Sequence, residues 1–172
     1  GELFCGQNYR MSELEGSVIL VQLKKTKAQA ERYNANMRRI LSEVKRFKNV
    51  KPRRSNDPNG DVGNNLVFFA ETPELAGKLA AALEAEGVHS WARGGKTSRD
   101  WHIYAYWEHI LEQKTATPEG CPFTCPYYKG KLPEYSVDMC PNTLDFVNRA
   151  LNVSVDQWWN LEDCRDVAKA IN

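Results

Sequence analysis

An amide and a guanidinium stand two residues apart near the start of the chain, at Asn8 and Arg10, just ahead of Ser12 and Glu15. Ser12-x-x-Glu15 is a capping box, the signature of a helix N-terminus. Helix N-termini concentrate unpaired backbone N–H groups at the positive end of the dipole. An amide donor and a fork-shaped cation beside such an end make an anion cradle. The same pair also reads as a turn residue and a surface charge.

A second set with chemical potential is Cys121, Cys125 and Cys140, with His102 and His109. Soft sulfur and imidazole in fours suit structural zinc. The C-x3-C spacing is looser than paired C-x2-C, and the flanking prolines fit a plain loop, so no metal is assigned. A thiol such as Cys140, placed before Pro141 at an expected helix start, tends to be acidified. A nucleophilic role would still need a paired base, and the sequence identifies none. His102, in an aromatic segment, reads either as a hydrogen-bonded core or loop residue or as a catalyst. Trp158 and Trp159 offer a stacking platform for a sugar or packing beneath the last helix.

The elements that must position these residues follow from apolar spacing. Met11, Leu14, Val18 and Val21 recur at threes and fours, while Ile19, Leu20 and Leu23 add a second apolar face. Two apolar faces on one helix mean burial on two sides. Tyr33, Met37, Ile40, Val44 and Phe47 then form a single stripe, so one long helix is expected from Ser12 to Phe47, ended by Pro52. Residues 55–64 carry turn chemistry centred on Asn59-Gly60. Leu66 to Ala70 reads as a buried strand. Thr72-Pro73 opens a helix with Leu75, Leu79 and Leu83 on one side, and Gly87 stops it. Val88 to Arg93 is expected to be a strand, with a loop over 94–100. Trp101 to Leu111 is read as a strand followed by a helical turn, and 115–136 as a long irregular excursion. Pro141 begins a helix through Ala150, Leu151 to Val155 is a short strand, and Asn160 caps a final helix striped by Cys164, Val167, Ala168 and Ile171.

Composition narrows the classes. The chain has 172 residues, 42% hydrophobic content and five tryptophans, which suits a folded domain with its own core. No apolar run is long enough to span a membrane, and no signal-peptide pattern is present. Five cysteines is an odd number, and the expectation is reduced thiols in a cytoplasmic protein. Net charge is +1, yet residues 24–54 are strongly basic. That stretch reads as a phosphate or nucleic-acid patch, or as the solvated face of a long helix. Basic residues interleave with apolar ones at helical spacing, and no base-stacking aromatic set accompanies them, which favours the helix face.

Gly6-Gln7-Asn8-Tyr9-Arg10-Met11 with Ser12-Glu13-Leu14, continuing to Gln22-Leu23, resembles the segment that leads into the connecting helix of the DegT/StrS family of sugar aminotransferases. Cys140-Pro141-Asn142-Thr143-Leu144-Asp145, then Arg149 to Val153, Asn160 to Asp163 and Val167-Ala168, is similar to that family's closing helix, strand and helix. Together these cover about half the chain. Asp100 to Tyr104 and Gly120 to Phe123 look like a branch acting on amino-sugars or amino-cyclitols.

The resemblance implies an α/β fold of the α+β-like small-domain kind, with a long N-terminal helix followed by a small sheet packed with helices, as in the C-terminal domain of fold-type I aminotransferases. The motif segment and connecting helix would occupy residues 1–48 and the small domain 49–172. The implied activity is that of the complete enzyme: conversion of a keto-sugar or keto-cyclitol to its amine, with glutamine or glutamate as donor and pyridoxal 5'-phosphate (PLP) as cofactor. The catalytic lysine of the family belongs to a larger preceding domain, so no catalytic residue is assigned in this chain, and the chain alone is expected to be inactive and to bind no PLP. Asn8 matches the position that reaches across a dimer interface to the partner subunit's cofactor phosphate, Arg10 lies near the same site, and His102 is the substrate-binding candidate. No nucleic-acid or membrane partner is expected. Two other readings remain: a non-catalytic dimerisation or interaction module with the same small-domain fold, and a basic nucleic-acid-binding domain.

Overall fold

The structure is a computed structural model that describes residues 10–93 and 100–172. Among the described residues, five helices and a four-stranded antiparallel sheet follow one another as α1 (Glu13–Glu43), β1 (Val50–Pro52), β2 (Asn65–Ala70), α2 (Pro73–Ala85), β3 (Ser90–Ala92), α3 (Glu108–Leu111), α4 (Pro141–Arg149), β4 (Ala150–Ser154) and α5 (Leu161–Ile171), with a 3-10 turn at Tyr104–Tyr106. The strand order is β1-β2-β4-β3, and every neighbouring pair is antiparallel. The mixed α/β class with a long N-terminal helix is therefore as expected from the sequence. The chain divides into two compact units, one of residues 12–93 with 145–172, the other of residues 100–144 with Arg10 and Met11.

In the first unit the core lies between one sheet face and three helices. Leu66, Phe68 and Ala70 alternate inward along β2, as a strand with one covered face requires. They meet Leu151 and Val153 of β4, Ala76, Ala80 and Leu83 of α2, Ile40 of α1, and Cys164, Val167 and Ala168 of α5. The α2 start is as its sequence predicts: the Thr72 hydroxyl accepts from the Leu75 N–H, and Pro73 occupies the first helical position. Gly87 ends that region at φ +82°, where a side chain would be strained.

The joint between α1 and the rest is polar as well as apolar. Asn36 is buried, at 2% exposure. Its Nδ2 donates to the Asp156 carbonyl at 2.8 Å and the Trp159 carbonyl at 3.1 Å, and its Oδ1 accepts from Arg39 Nη1 at 2.7 Å. Asn34 clips the loop before β2 by donating to the Asp61 carbonyl at 2.8 Å and accepting from the Gly63 N–H at 2.6 Å. A Cβ at Gly63 would lie 2.7 Å from Met37 Cβ, so only glycine lets the loop come this close.

Three elements differ from expectation. The first helix ends at Glu43 instead of Phe47. Asn172 explains the stop: its Nδ2 donates to the Glu43 carbonyl at 3.2 Å and its Oδ1 accepts from the Lys45 N–H at 2.7 Å, a side-chain cap on freed backbone groups. Phe47 leaves the helical stripe and sets its ring 5.7 Å from that of Phe68. Val50–Pro52 is a strand, paired with Phe68–Ala70. Its proline is tolerated because β1 is an edge. Residues 101–111 hold no strand; the 3-10 turn and α3 take their place.

The second unit is built on side-chain latches more than on regular elements. Ile103 and Phe123 are buried, and Phe123 meets Tyr135 edge-on at 6.0 Å. Tyr104 Oη donates to the Val137 carbonyl at 2.8 Å and accepts from the Cys140 N–H at 3.0 Å. Gln113 Nε2 donates to the Pro133 carbonyl at 3.2 Å. The excursion over 115–136 is thus irregular, as expected, and pinned along its length.

Candidate functional site

The start of α1 is a complete capping box. Glu15 N–H donates to Ser12 Oγ at 3.1 Å, and Ser12 N–H donates to Glu15 Oε2 at 2.8 Å. The Ser12 backbone N–H, and then its hydroxyl, hold the Glu15 carboxyl below its ordinary value. This changes the sequence picture of the anion cradle. Two helix-terminal donors are already spent inside the chain. Arg10 is exposed, two residues before the cap. Asn8 lies outside the described residues, as does the rest of the motif from Phe4 to Tyr9.

From there the first half of α1 has an apolar surface without cover. Leu14 is 75% exposed, Leu20 60% and Leu23 63%, and Val18, Ile19 and Val21 are also exposed. In the second half, Asn36 and Ile40 continue the line of Leu14 and Val18 at helical spacing and are buried. One stripe of one helix is therefore sealed at its C-terminal end and open at its N-terminal end. The sequence reading of two apolar faces over 14–23 meets the same residues, and both faces are exposed.

His102 sits in a turn of the second unit. Its Nδ1 is 2.9 Å from Asp100 Oδ1, and its backbone N–H donates to the same oxygen at 3.0 Å. The side chain is 96% exposed, so its ring is oriented by Asp100 and open to solvent. Trp101 and Trp107 are exposed beside it in sequence, and the Trp107 indole N–H donates to the Trp101 carbonyl at 2.7 Å. An imidazole oriented by a carboxylate, flanked by aromatic rings, can hydrogen-bond and stack on a polyhydroxylated ring.

The basic stretch carries several internal duties. The Arg32 guanidinium lies 4.4 Å from the centroid of the Trp158 ring and donates to Gln157 Oε1 at 2.7 and 3.1 Å. Arg53 pairs with Asp61 at 2.9 Å. Lys45, Arg46, Arg165 and Lys169 line an open recess of about 430 Å³ together with Glu43 and Asn172. The two tryptophans of the 158–159 pair separate: Trp159 packs against the core, whereas Trp158 is 74% exposed under Arg32.

The suggested metal ligands do not converge. Among the described residues no group of three or more His, Cys, Asp or Glu side chains is placed to hold a metal ion. Cys121 and Cys125 are half-buried, while Cys140 is exposed. Cys164 is in the core, as its stripe predicts, and burial pushes its thiol up.

Sequence reasoning missed the Tyr104 latch and the Asn172 cap, because both link positions far apart in the chain. The Asp145–Arg149 pair was within its reach. Those residues sit at helical i, i+4 spacing and form a two-point ion pair, and Arg149 Nη1 also donates to the Ala70 carbonyl at 2.9 Å.

Among the described residues no helix is long and apolar enough to cross a membrane. No family model matches the chain.

Proposed function

We propose that this chain is the C-terminal small-domain part of a PLP-dependent aminotransferase of the DegT/StrS kind, acting on a keto-sugar or keto-cyclitol with glutamine or glutamate as amino donor. The observation that carries the reading is the open apolar half of α1. Six exposed Leu, Ile and Val side chains on one helix are a surface made to be covered. A connecting helix that receives a preceding domain and a second subunit supplies that cover. The element order, a long helix before a small antiparallel sheet with further helices, supports the same reading.

PLP would contribute an electron sink at the substrate's α-carbon. This chain would contribute binding. Arg10, and Asn8 beside it in sequence, would hold the cofactor phosphate of the partner subunit, and an exposed guanidinium fits that dianion. His102, oriented by Asp100, would hydrogen-bond a substrate hydroxyl. A cytoplasmic dimer is part of the same proposal.

The test compares the complete polypeptide with this chain alone. Asn8→Ala or Arg10→Ala in the complete protein should weaken PLP binding by roughly ten- to a hundredfold, the value of a lost charged hydrogen bond. The thermal midpoint of this chain alone should stay unchanged by either substitution. Large destabilisation of the chain with cofactor affinity intact would make these residues structural. A borohydride-fixed PLP adduct on one defined lysine of this chain alone would overturn the fragment reading.

A further inference from the structure

We propose that the first half of α1 pairs antiparallel with the same segment of a second copy of this chain, through a seam of Leu14, Val18 and Val21. The inference rests on the reading that a second subunit covers α1, and not on the PLP chemistry. Every residue from Ser17 to Ala28 is exposed, so the helix is open to a second helix around its whole circumference. Leu14, Val18 and Val21 are 75%, 53% and 50% exposed, and they recur at the four-then-three spacing of a two-helix seam. At about 100° per residue, Ile19, Leu20 and Leu23 fall on the far side of the helix and stay free for another body.

Charge names the partner and its direction. Residues 16–23 carry no charge; Glu13 and Glu15 precede them, and Lys24, Lys25 and Lys27 follow. The segment has an acidic end, an apolar middle and a basic end, so its complement is itself turned around. A two-fold axis between Ile19 and Leu20 sets Val18 level with Val21 of the second copy, and Leu14 level with its Lys25. That lysine stem then covers the leucine, and its ammonium reaches towards Glu15. Lys24 of the second copy stands level with Glu15, on the flank of Glu13. The symmetry makes each contact twice. A parallel pair would instead set acid beside acid and lysine beside lysine, with the two helix dipoles aligned.

The charges are free for this use. Among the described residues Glu13, Lys24 and Lys25 make no ion pair within the chain. Glu15 takes both Ser12 side-chain and backbone bonds on Oε2, which leaves Oε1 for a cation. A seam this short is small beside a stable interface, and its ion pairs are exposed. The dimer should therefore be scarce at about 10 µM and abundant only near roughly 500 µM.

The test uses this full chain without cofactor. Sedimentation velocity over that concentration range should show a reversible monomer–dimer equilibrium, weakened several-fold between about 0.05 and 0.5 M NaCl. A zero-length carbodiimide, applied to a mixture of unlabelled and isotope-labelled chains, should yield mixed-label peptides joining Glu13 or Glu15 to Lys24 or Lys25. In a parallel pair those residues stand about 13–18 Å apart along the axis and cannot be linked. Val18→Gln with Val21→Gln should abolish the dimer and leave the thermal midpoint within about 2 °C. Lys24→Glu with Lys25→Glu should abolish it with the apolar seam untouched. A chain that stays monomeric to about 500 µM would overturn the proposal. So would a dimer that tightens with salt, or one that gives no Glu–Lys links between copies. A monomeric chain leaves the cofactor reading to its own Asn8 and Arg10 test, and failure of that reading leaves these measurements unchanged.

Discussion

Replacing Ile19, Leu20 and Leu23 of α1 together by glutamine separates a surface that awaits cover from one that supports the fold. The three side chains are 45%, 60% and 63% exposed. Burying a whole side chain of this size is worth about 1.5–3 kcal/mol. Covering what remains exposed here is worth roughly 1–2 kcal/mol each, or about 3–5 kcal/mol for the three. In the chain by itself none of that energy is realised, so the triple variant should unfold within about 0.5 kcal/mol per site of the wild type. In the longer protein proposed above, where a preceding domain and a second subunit cover this face, the same variant should lose the docking energy, a drop of roughly two to three and a half orders of magnitude in association. Urea unfolding of the isolated chain measures the first quantity, and sedimentation of the complete protein across a dilution series measures the second. The reasoning fails if the isolated chain is destabilised by several kcal/mol. That result would place these side chains inside its own core in solution.

Asn36→Leu should cost about 2–4 kcal/mol, because it removes the buried amide from which the Asp156 and Trp159 carbonyls accept. For a chain of this size the thermal midpoint should fall by about 5–15 °C, and a shift under about 2 °C would mean that water replaces the amide. Stability should also fall in acid. The Glu15, Glu74 and Asp145 carboxyls are all held below their ordinary values, chiefly by the Ser12 backbone N–H, the Glu74 backbone N–H and the Arg149 side chain respectively. Groups depressed in this way contribute stability that is present above the unfolded value and lost as pH falls through the folded one. Urea midpoints should therefore hold steady from neutrality to about pH 5 and decline below about pH 4, and a flat profile into stronger acid would contradict the assignment.

The parts of the fold written in local chemistry were readable from the residues. Ser12-x-x-Glu15, Thr72-Pro73 and Asn160 begin helices where they should, because a cap is decided within four residues. The β2 and β4 runs are strands, and the stripe of α5 faces the core. What could not be read locally depended on distant partners. Val50–Pro52 looks like the residue of a broken helix until Phe68–Ala70 offers it an edge. The last turn of α1 stops at Glu43 because a side chain 129 positions away caps it. Residues 101–107 are rich in aromatic residues and read as a strand, yet Tyr104 and Trp107 spend their polar atoms on the Val137 and Trp101 carbonyls, and the chain coils into a 3-10 turn. Of the candidate site, the exposed helix face was legible from its all-round apolar pattern. The hydrogen bond that orients His102 on Asp100 was not, since it depends on the turn that the chain makes there.

The sealed and open halves of α1 have a mechanical consequence. A helix of 31 residues is about 45 Å long, and the Asn36–Ile40 joint clamps only its last third to the sheet. The remaining two thirds form an arm whose hinge is a polar knot and whose grip is greasy. A rotation of about five degrees at that knot would carry the tip near Leu14 through roughly 3 Å, given 1.5 Å of rise per residue. A body holding Leu14 to Leu23 is thus geared to the sheet through a lever, and small repacking beneath Asn36 is read out at the far end as a displacement the size of a hydrogen bond.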